Sequence, residues 1–383
     1  MRMKQAKILF LAVIVLLTPV LVSCVPGGTQ AAKGWAGTTF HDGIIYAGTV
    51  DGRVVAINAS SREELWSRPV VTQVSGGLAC GPSTVADAIY TTPVVHGDLV
   101  YVGTYSGRVY ALTIAQGAER WIYPRTGSIG AIVASPVIAD ETIYVSSSDG
   151  TVYALTVLHG DFKWRSERLA DKLWTSPTVV GDRLYLSTLD GHIYTLSAET
   201  GQLLEWSFES EAGFASCPVV YEDTIYVGSF DNKLYAINIG DSEPAWTFRG
   251  GKWFWATPLV HEGVVYAGCL DGRFYVLDAE TGEKMGEFDA GSPVVSSPVM
   301  MDDLLIVADE SGTIYVFDLN AGPEDRATPL KTIAIDAGVR SSFCAEEGLV
   351  YIRGEDKKDN KDKLYIVDID EGWIKDVPLT VEE

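Results

Sequence analysis

Residues 256–288 read ATPLVHEGVVYAGCLDGRFYVLDAETGEKMGEF, and this stretch decides the fold. Its apolar runs are short and rich in β-branched and aromatic residues. Turn residues separate them at His261-Glu262-Gly263, Asp271-Gly272 and Glu280-Thr281-Gly282. The pattern predicts four strands joined by three turns. Asp-Gly between two such runs is a strong hairpin signal, because the tight turn needs positive φ. The unit then recurs. Its central turns are Asp51-Gly52, Ser106-Gly107, Asp149-Gly150, Asp190-Gly191, Asp231-Asn232, Asp271-Gly272 and Ser311-Gly312, with a looser eighth copy around Tyr351 and Tyr365. The first seven turns stand 55, 43, 41, 41, 40 and 40 residues apart. A fixed period of this size marks a repeat architecture.

Two aromatic columns make the register explicit. Tyr46, Tyr101, Tyr144, Tyr185, Tyr226, Tyr266 and Tyr351 share one position of the second strand, with Ile306 the exception. Tyr110, Tyr153, Tyr194, Tyr235, Tyr275, Tyr315 and Tyr365 share one position of the third, with Val55 the exception. Residues that recur in this way are packing residues, and no single tyrosine among them is promoted to a site. A small residue follows the first column two places on, as at Gly48, Gly103, Gly228 and Gly268, where neighbouring sheets can approach. The strands are apolar on both faces, which suits a blade held between two neighbours. The expected fold is all-β: an eight-bladed β-propeller of four-stranded antiparallel blades, with few exposed edges. A solenoid of the same period would need polar caps at its ends, and the sequence has none.

The chain has 383 residues and a formal net charge of −22. Arg2, Lys4 and Lys7 precede an apolar run from Ile8 to Val22, of signal-peptide length and short for a membrane span. The run ends in Leu21-Val22-Ser23-Cys24, which resembles the lipobox of bacterial lipoproteins, where the cysteine becomes the lipidated N-terminus. The expected organisation is a leader at 1–23, a lipidated linker at 24–33 and a propeller at 34–383. The acidity argues against nucleic acid and against adhesion of the protein surface to anionic lipid. Cys80, Cys217, Cys269 and Cys344 show no metal-ligand spacing, and three of these four are expected in strands as free buried thiols.

Several copies end in a turn followed by tryptophan, namely Trp66, Trp121, Trp164, Trp206 and Trp246. Most open on a Ser/Thr/Cys-Pro step: Thr92-Pro93, Ser135-Pro136, Ser176-Pro177, Cys217-Pro218, Thr257-Pro258 and Ser297-Pro298. Over residues 34–375 this resembles the tryptophan-docking repeat of the quinoprotein family, the PQQ-like propellers. The resemblance implies that the tryptophan of one blade wedges against the next. Three departures predict looser packing in the last blades: Phe288 stands for the sixth tryptophan, the seventh copy has no obvious equivalent, and Ser341-Ser342 replaces the proline step.

That family holds two kinds of protein. Quinone-dependent dehydrogenases carry a cofactor, a calcium ion, a catalytic Asp and typically adjacent cysteines, and this chain has no Cys-Cys pair. Non-catalytic, lipid-anchored BamB-type scaffolds carry no cofactor and match the chain in length and lipobox. The resemblance therefore implies a non-enzymatic envelope scaffold without cofactor or metal, acting in outer-membrane protein assembly. Its expected partners are envelope proteins, with the chain a monomer or a subunit of a larger complex. Its expected place is the periplasmic face of an outer membrane, or the outer face of the cytoplasmic membrane where no outer membrane exists. A PQQ-dependent oxidoreductase and an extracellular ligand-binding or adhesion propeller are the alternatives.

The turns after each first strand are acidic in all eight copies, from Asp42 to Glu346-Glu347, so one face should carry a negative field. His41, His96 and His261 share this turn column and read as solvated turn residues. Two irregularities fall on the opposite face. The connection from Trp66 to Thr92 is long, and its segment from Val70 to Ala88 is rich in Gly, Ser and Thr, as a structureless binding loop would be. Lys252-Trp253-Phe254-Trp255 precedes an innermost strand, with Trp174 in the column of Trp255. Aromatic residues beside cations suit protein contact. The expected partner-binding residues are Trp174, Arg249, Lys252, Trp253, Phe254, Trp255 and Arg340, and the expected lipidation site is Cys24.

Overall fold

Residues 36–49, 51–74, 83–170, 172–322, 325–359 and 361–379 are described by a computed structural model, all within the unit Ala31–Glu383. The expected leader 1–23, the lipidation site Cys24, the linker 24–33 and Cys80 lie outside the described residues.

Eight antiparallel sheets follow one another along the chain. In the sixth, Leu259–His261, Val264–Gly268, Arg273–Asp278 and Lys284–Asp289 pair in chain order. The same order runs from Thr38–His41 to Glu64–Pro69 in blade 1 and from Val94–His96 to Glu119–Tyr123 in blade 2. Blades 3, 4 and 5 start at Val137–Ala139, Thr178–Val180 and Val219–Tyr221. Blades 7 and 8 start at Val299–Met301 and Cys344–Glu346, with Ala337–Gly338 adding a short fifth strand to blade 8. First strands touch between blades 1 and 2, 3 and 4, 4 and 5, 5 and 6, 7 and 8, and 8 and 1, so they surround the axis of an eight-bladed propeller.

Second and third strands are buried on both faces, as in Leu99–Gly103, whereas the fourth strand Leu203–Glu209 is largely exposed. The core accordingly forms layers between blades. Tyr46, Val54, Ala56 and Trp66 of blade 1, for example, pack on Val100, Val102, Tyr110 and Leu112 of blade 2. Glycine in the small-residue column permits this approach: a Cβ on Gly103 would stand 2.4 Å from Ile132 of the next blade entry. The acidic turns are tight. Their first residue is left-handed, with φ between 46° and 52° at Asp42, Asp140, Glu222, Glu262, Asp302 and Glu347. The aspartates of the central hairpin turns also fasten the tyrosine column. Tyr153, Tyr235 and Tyr275 donate to Asp149, Asp231 and Asp271 at 2.8, 2.7 and 2.8 Å. Burial, reinforced by this bond, pushes the Tyr153 hydroxyl up to about 12.

The tryptophans dock as the repeat predicts. Trp66, Trp121, Trp164, Trp206 and Trp246 donate their indole N–H to the carbonyls of Ile114, Val157, Ala198, Asp241 and Ala279 in the following blade, at 2.8 to 3.1 Å. Beneath the ring of Trp121 lies Gly160 at φ 66°, where a Cβ would stand 2.5 Å from the indole.

The later blades depart from the sequence reading. Trp246 lies opposite Ala236, and the corresponding partner of Val276 in blade 6 is Gly286 rather than Phe288. Phe288 lies opposite Phe274, the place Phe248 holds opposite Leu234. The volume above Gly286 is filled from blade 7, whose long turn brings Ala327 to 2.9 Å from where a Cβ would be. In blade 7 the docking position belongs to Lys331, opposite Val316, and its ammonium donates to the carbonyls of Ile369 and Asp370 at 2.7 and 3.0 Å. At these two seams other groups thus stand in the tryptophan's place: Ala327 covers Gly286, and Lys331 reaches the carbonyls of the next blade.

Blades 8 and 1 are each complete sheets, so the ring closes through side chains. Thr38 Oγ1 donates to the Tyr351 carbonyl at 2.6 Å, and Arg353 donates to the Ala36 carbonyl at 2.9 Å. Phe40 stacks on Tyr351 at 5.3 Å. The segment 70–88 is also a correction: it is not structureless, since Val71–Val74 pairs with Ser83–Ala86 as a β-hairpin. Its β-branched residues favour strand, and the Tyr110 hydroxyl holds its base through the Val71 carbonyl at 3.0 Å. Cys217, Cys269 and Cys344 are free thiols, and only Cys344 lies within a strand; the other two flank one.

Candidate functional site

Each blade is entered by an extended step whose side chains alternate in direction. The first position is a buried apolar column: Ile89, Ile132, Leu173, Phe214, Phe254 and Val294 are all fully buried. The next position faces the axial mouth, with Tyr90, Val133, Trp174, Ala215, Trp255, Val295 and Arg340 in turn. Large residues thus fall in blades 2, 4, 6 and 8 and smaller ones in blades 3, 5 and 7.

Two residues further on, a collar of hydroxyls and one thiol ties the blades together around the axis. The Thr92 N–H donates to Ser135 Oγ at 2.9 Å, Cys217 N–H to Thr257 Oγ1 at 3.3 Å, and Thr257 N–H to Ser297 Oγ at 3.1 Å. Blade 1 contributes Gly37, whose missing side chain lets Thr92 and Ser342 hydroxyls meet at 2.8 Å. A Cβ on Gly37 would stand 2.3 Å from Ser342 Oγ. Ser342 thus holds the collar position itself, and Phe343 stands where the proline does in the other blades.

Above this collar the mouth carries an aromatic cluster. Trp253 and Trp255 are 44% and 37% exposed, and both meet the ring of Phe230 edge-on, at 5.0 and 5.9 Å. Their loop is pinned to the next blade. Gly251 N–H donates to Asp271 at 2.7 Å, Leu270 N–H to the Trp253 carbonyl at 3.0 Å, and Cys269 Sγ to the Lys252 carbonyl at 3.3 Å. Although burial opposes it, the bonds from Tyr275 and Gly251 hold the Asp271 carboxyl below its ordinary value. Around the mouth, Lys172 lies 5.4 Å from the Trp174 ring, and Tyr90 packs on Tyr105 at 5.3 Å. An aromatic surface on a fixed backbone with flanking cations can seat an apolar side chain or a strand of a partner.

The structure brings together Trp174, Lys252, Trp253, Trp255 and Arg340 on this side of the ring, and separates two expected residues from them. Phe254 is a correction: fully buried against Phe248 and Tyr275, it belongs to the apolar column and offers no contact surface. Arg249 ends the outermost strand of blade 5, opposite Lys233, rather than the inner strand that Trp255 precedes. Arg340 is engaged by Glu310 at 2.6 Å. Sequence reasoning missed Phe230 and Tyr105. Both stand next to the hairpin turn, where Ser148 and Glu310 stand in other copies, so aligning that column shows them. No group of three or more metal-ligating side chains occurs among the described residues.

Residues 82–205 and 191–372 match the family model described as outer membrane protein assembly factor BamB. Among solved structures, BamB from Moraxella catarrhalis superposes with a TM-score of 0.63 at 16% identity, over 91% of this chain and 95% of that one. The computationally designed Ika8 protein superposes with a TM-score of 0.68 at 16% identity, over 88% and 97%. Identities this low show the fold alone. A quinohemoprotein alcohol dehydrogenase, ADH IIB of Pseudomonas putida, is 40% identical over 83 residues, which are 21% of this chain and 11% of that protein.

Proposed function

We propose, from the premise that this chain belongs to the outer membrane protein assembly factor BamB family, that it is a non-catalytic scaffold of the cell envelope. It holds partner proteins at the axial mouth. The observation that carries this reading is the Trp253–Phe230–Trp255 cluster, exposed on a backbone pinned at three points and unmatched in the other blades among the described residues. Trp174, Lys252 and Arg340 extend the contact surface. The domain reading belongs to the same proposal: leader 1–23, lipid on Cys24, linker 24–33, propeller 34–383. In it the lipid anchors the acidic propeller and the protein surface does not.

Two measurements test it. Cys24→Ala should abolish lipidation and release the chain from membranes; unchanged membrane association would make Ile8 to Val22 a retained anchor. Photo-crosslinkers placed at Trp253 and at Asp302 should differ. Adducts to envelope proteins from Trp253 support the reading, and adducts only from Asp302 move the contact to the acidic face.

A second reading, quinone-dependent oxidation, draws on the 40% identity to the dehydrogenase segment. The residues here do not fit that cofactor. The axial positions carry aromatic, small, hydroxyl and thiol side chains and one cation, Arg340, rather than carboxylates and amides for calcium.

A further inference from the structure

The outer seam between blades 2 and 3 holds a pocket of about 340 Å³, away from the axial mouth. Arg120 and Arg125 line it from blade 2 with Trp121, and Leu158, His159 and Asp161 line it from the turn of blade 3. It is a depression that opens widely to solvent. Trp121 is fixed at its base by the indole bond to the Val157 carbonyl and by Gly160 beneath the ring.

Two features are not explained by the repeat. The turn that receives a docking tryptophan elsewhere reads Ala115-Gln116, Glu199-Thr200 or Glu280-Thr281, yet here it reads Leu158-His159. Leu158 is 47% exposed, a position of no value to the core. The chain carries a net charge of −22, yet Arg120 makes no hydrogen bond or ion pair among the described residues. Among the same residues Arg125 approaches only Asp161, at 3.9 Å, with 82% of its side chain exposed.

We infer that this pocket binds a monocarboxylate carried on a small apolar or aromatic body. Guanidinium groups are planar forks that match a carboxylate in two parallel hydrogen bonds. Leu158 supplies an apolar wall for the body of the ligand. Asp161 disfavours a doubly charged group such as phosphate, because its own carboxylate lies in the wall. The carboxylate comes either from the last residue of a peptide or from a free organic acid.

The test is a titration of the full chain, with ¹⁵N-labelled tryptophan, followed through the Trp121 indole signal. The probes are N-acetyl-phenylalanine, its amide N-acetyl-phenylalaninamide, and phenylacetate. A saturable shift is expected with the two carboxylates and not with the amide. Tighter binding of N-acetyl-phenylalanine assigns a peptide terminus, and tighter binding of phenylacetate a free acid. Arg120→Gln should weaken binding about 10-fold or more. Asp161→Asn should strengthen it, with the gain shrinking as salt rises. Arg125→Gln, on a side chain that is 82% exposed, repeats the test should Arg120→Gln fail to fold. Equal response to the amide, absence of a saturable shift with either acid, or unchanged affinity in the arginine variants overturns the site.

Discussion

Phe254→Ala and Trp253→Ala alter adjacent residues and are expected to differ by several kcal/mol. The Phe254 ring is fully buried and packs on Phe248 at 6.3 Å and Tyr275 at 5.8 Å. Its surroundings have little room to collapse into a hole, because the backbones already touch: a Cβ on Gly228 would stand 2.2 Å from the Phe254 carbonyl oxygen. Truncation of a buried phenylalanine costs about 3–5 kcal/mol, and a site that cannot relax falls near the upper end. Trp253 is 44% exposed and touches Phe230 edge-on, so its truncation should cost about 0.5–1.5 kcal/mol. With an unfolding entropy of about 2 cal/mol/K per residue, 4 kcal/mol lowers the melting temperature by roughly 5–6 °C in a domain of this size, and 1 kcal/mol by under about 2 °C. Calorimetry and urea unfolding at constant slope measure both. Partner capture should show the reverse order, with Trp253→Ala the more impaired. Losses of stability within about 1 kcal/mol of each other, or a larger loss for Trp253→Ala, would refute the assignment of Phe254 to the core column and Trp253 to the surface.

Lys331→Met removes the two charge-assisted bonds to the Ile369 and Asp370 carbonyls while keeping the length of the side chain. Because the lysine side chain is 44% exposed, about 1–2 kcal/mol of destabilisation is expected by denaturant unfolding, and no change would show that the seam is held by packing alone. Gly37→Ala should jam the collar between Thr92 and Ser342 and cost about 1–3 kcal/mol; wild-type stability would mean that the ring dilates freely there. Asp271→Asn should be destabilising at neutral pH and progressively less so in acid. The folded carboxyl is held below its ordinary 3.8, so its contribution is full above that value and is lost as pH falls through the lower folded value. A stability difference that stays constant from pH 7 to about 2 would contradict this role.

Much of the molecule is legible locally. The Asp-Gly turns, the short two-sided apolar runs and the regular spacing each depend on a few neighbouring residues, so the strands, their order and the number of blades follow from the chain directly. The indole columns were legible for the same reason, as each tryptophan sits at a constant offset within its own repeat. The direction of Phe254 was also readable, from the column of Ile132, Leu173 and Phe214. It escapes notice when the run Trp253-Phe254-Trp255 is read as one aromatic group, although an extended backbone must send alternate side chains opposite ways.

Other features depend on which part of the chain reaches a given volume, and only the tertiary structure decides that. Nothing near Gly286 in sequence says that Ala327 will cover it, and nothing in Lys331 says that it will stand where an indole stands elsewhere. The axial cluster joins Phe230 to Trp253 and Trp255 across two blades, and the closing seam sets Thr38 against Tyr351 and Arg353 against Ala36. The repeat tells each blade how to form by itself. What fills the gaps between blades is a question of volume and unpaired backbone groups, and a residue distant in sequence can answer it as well as a near one.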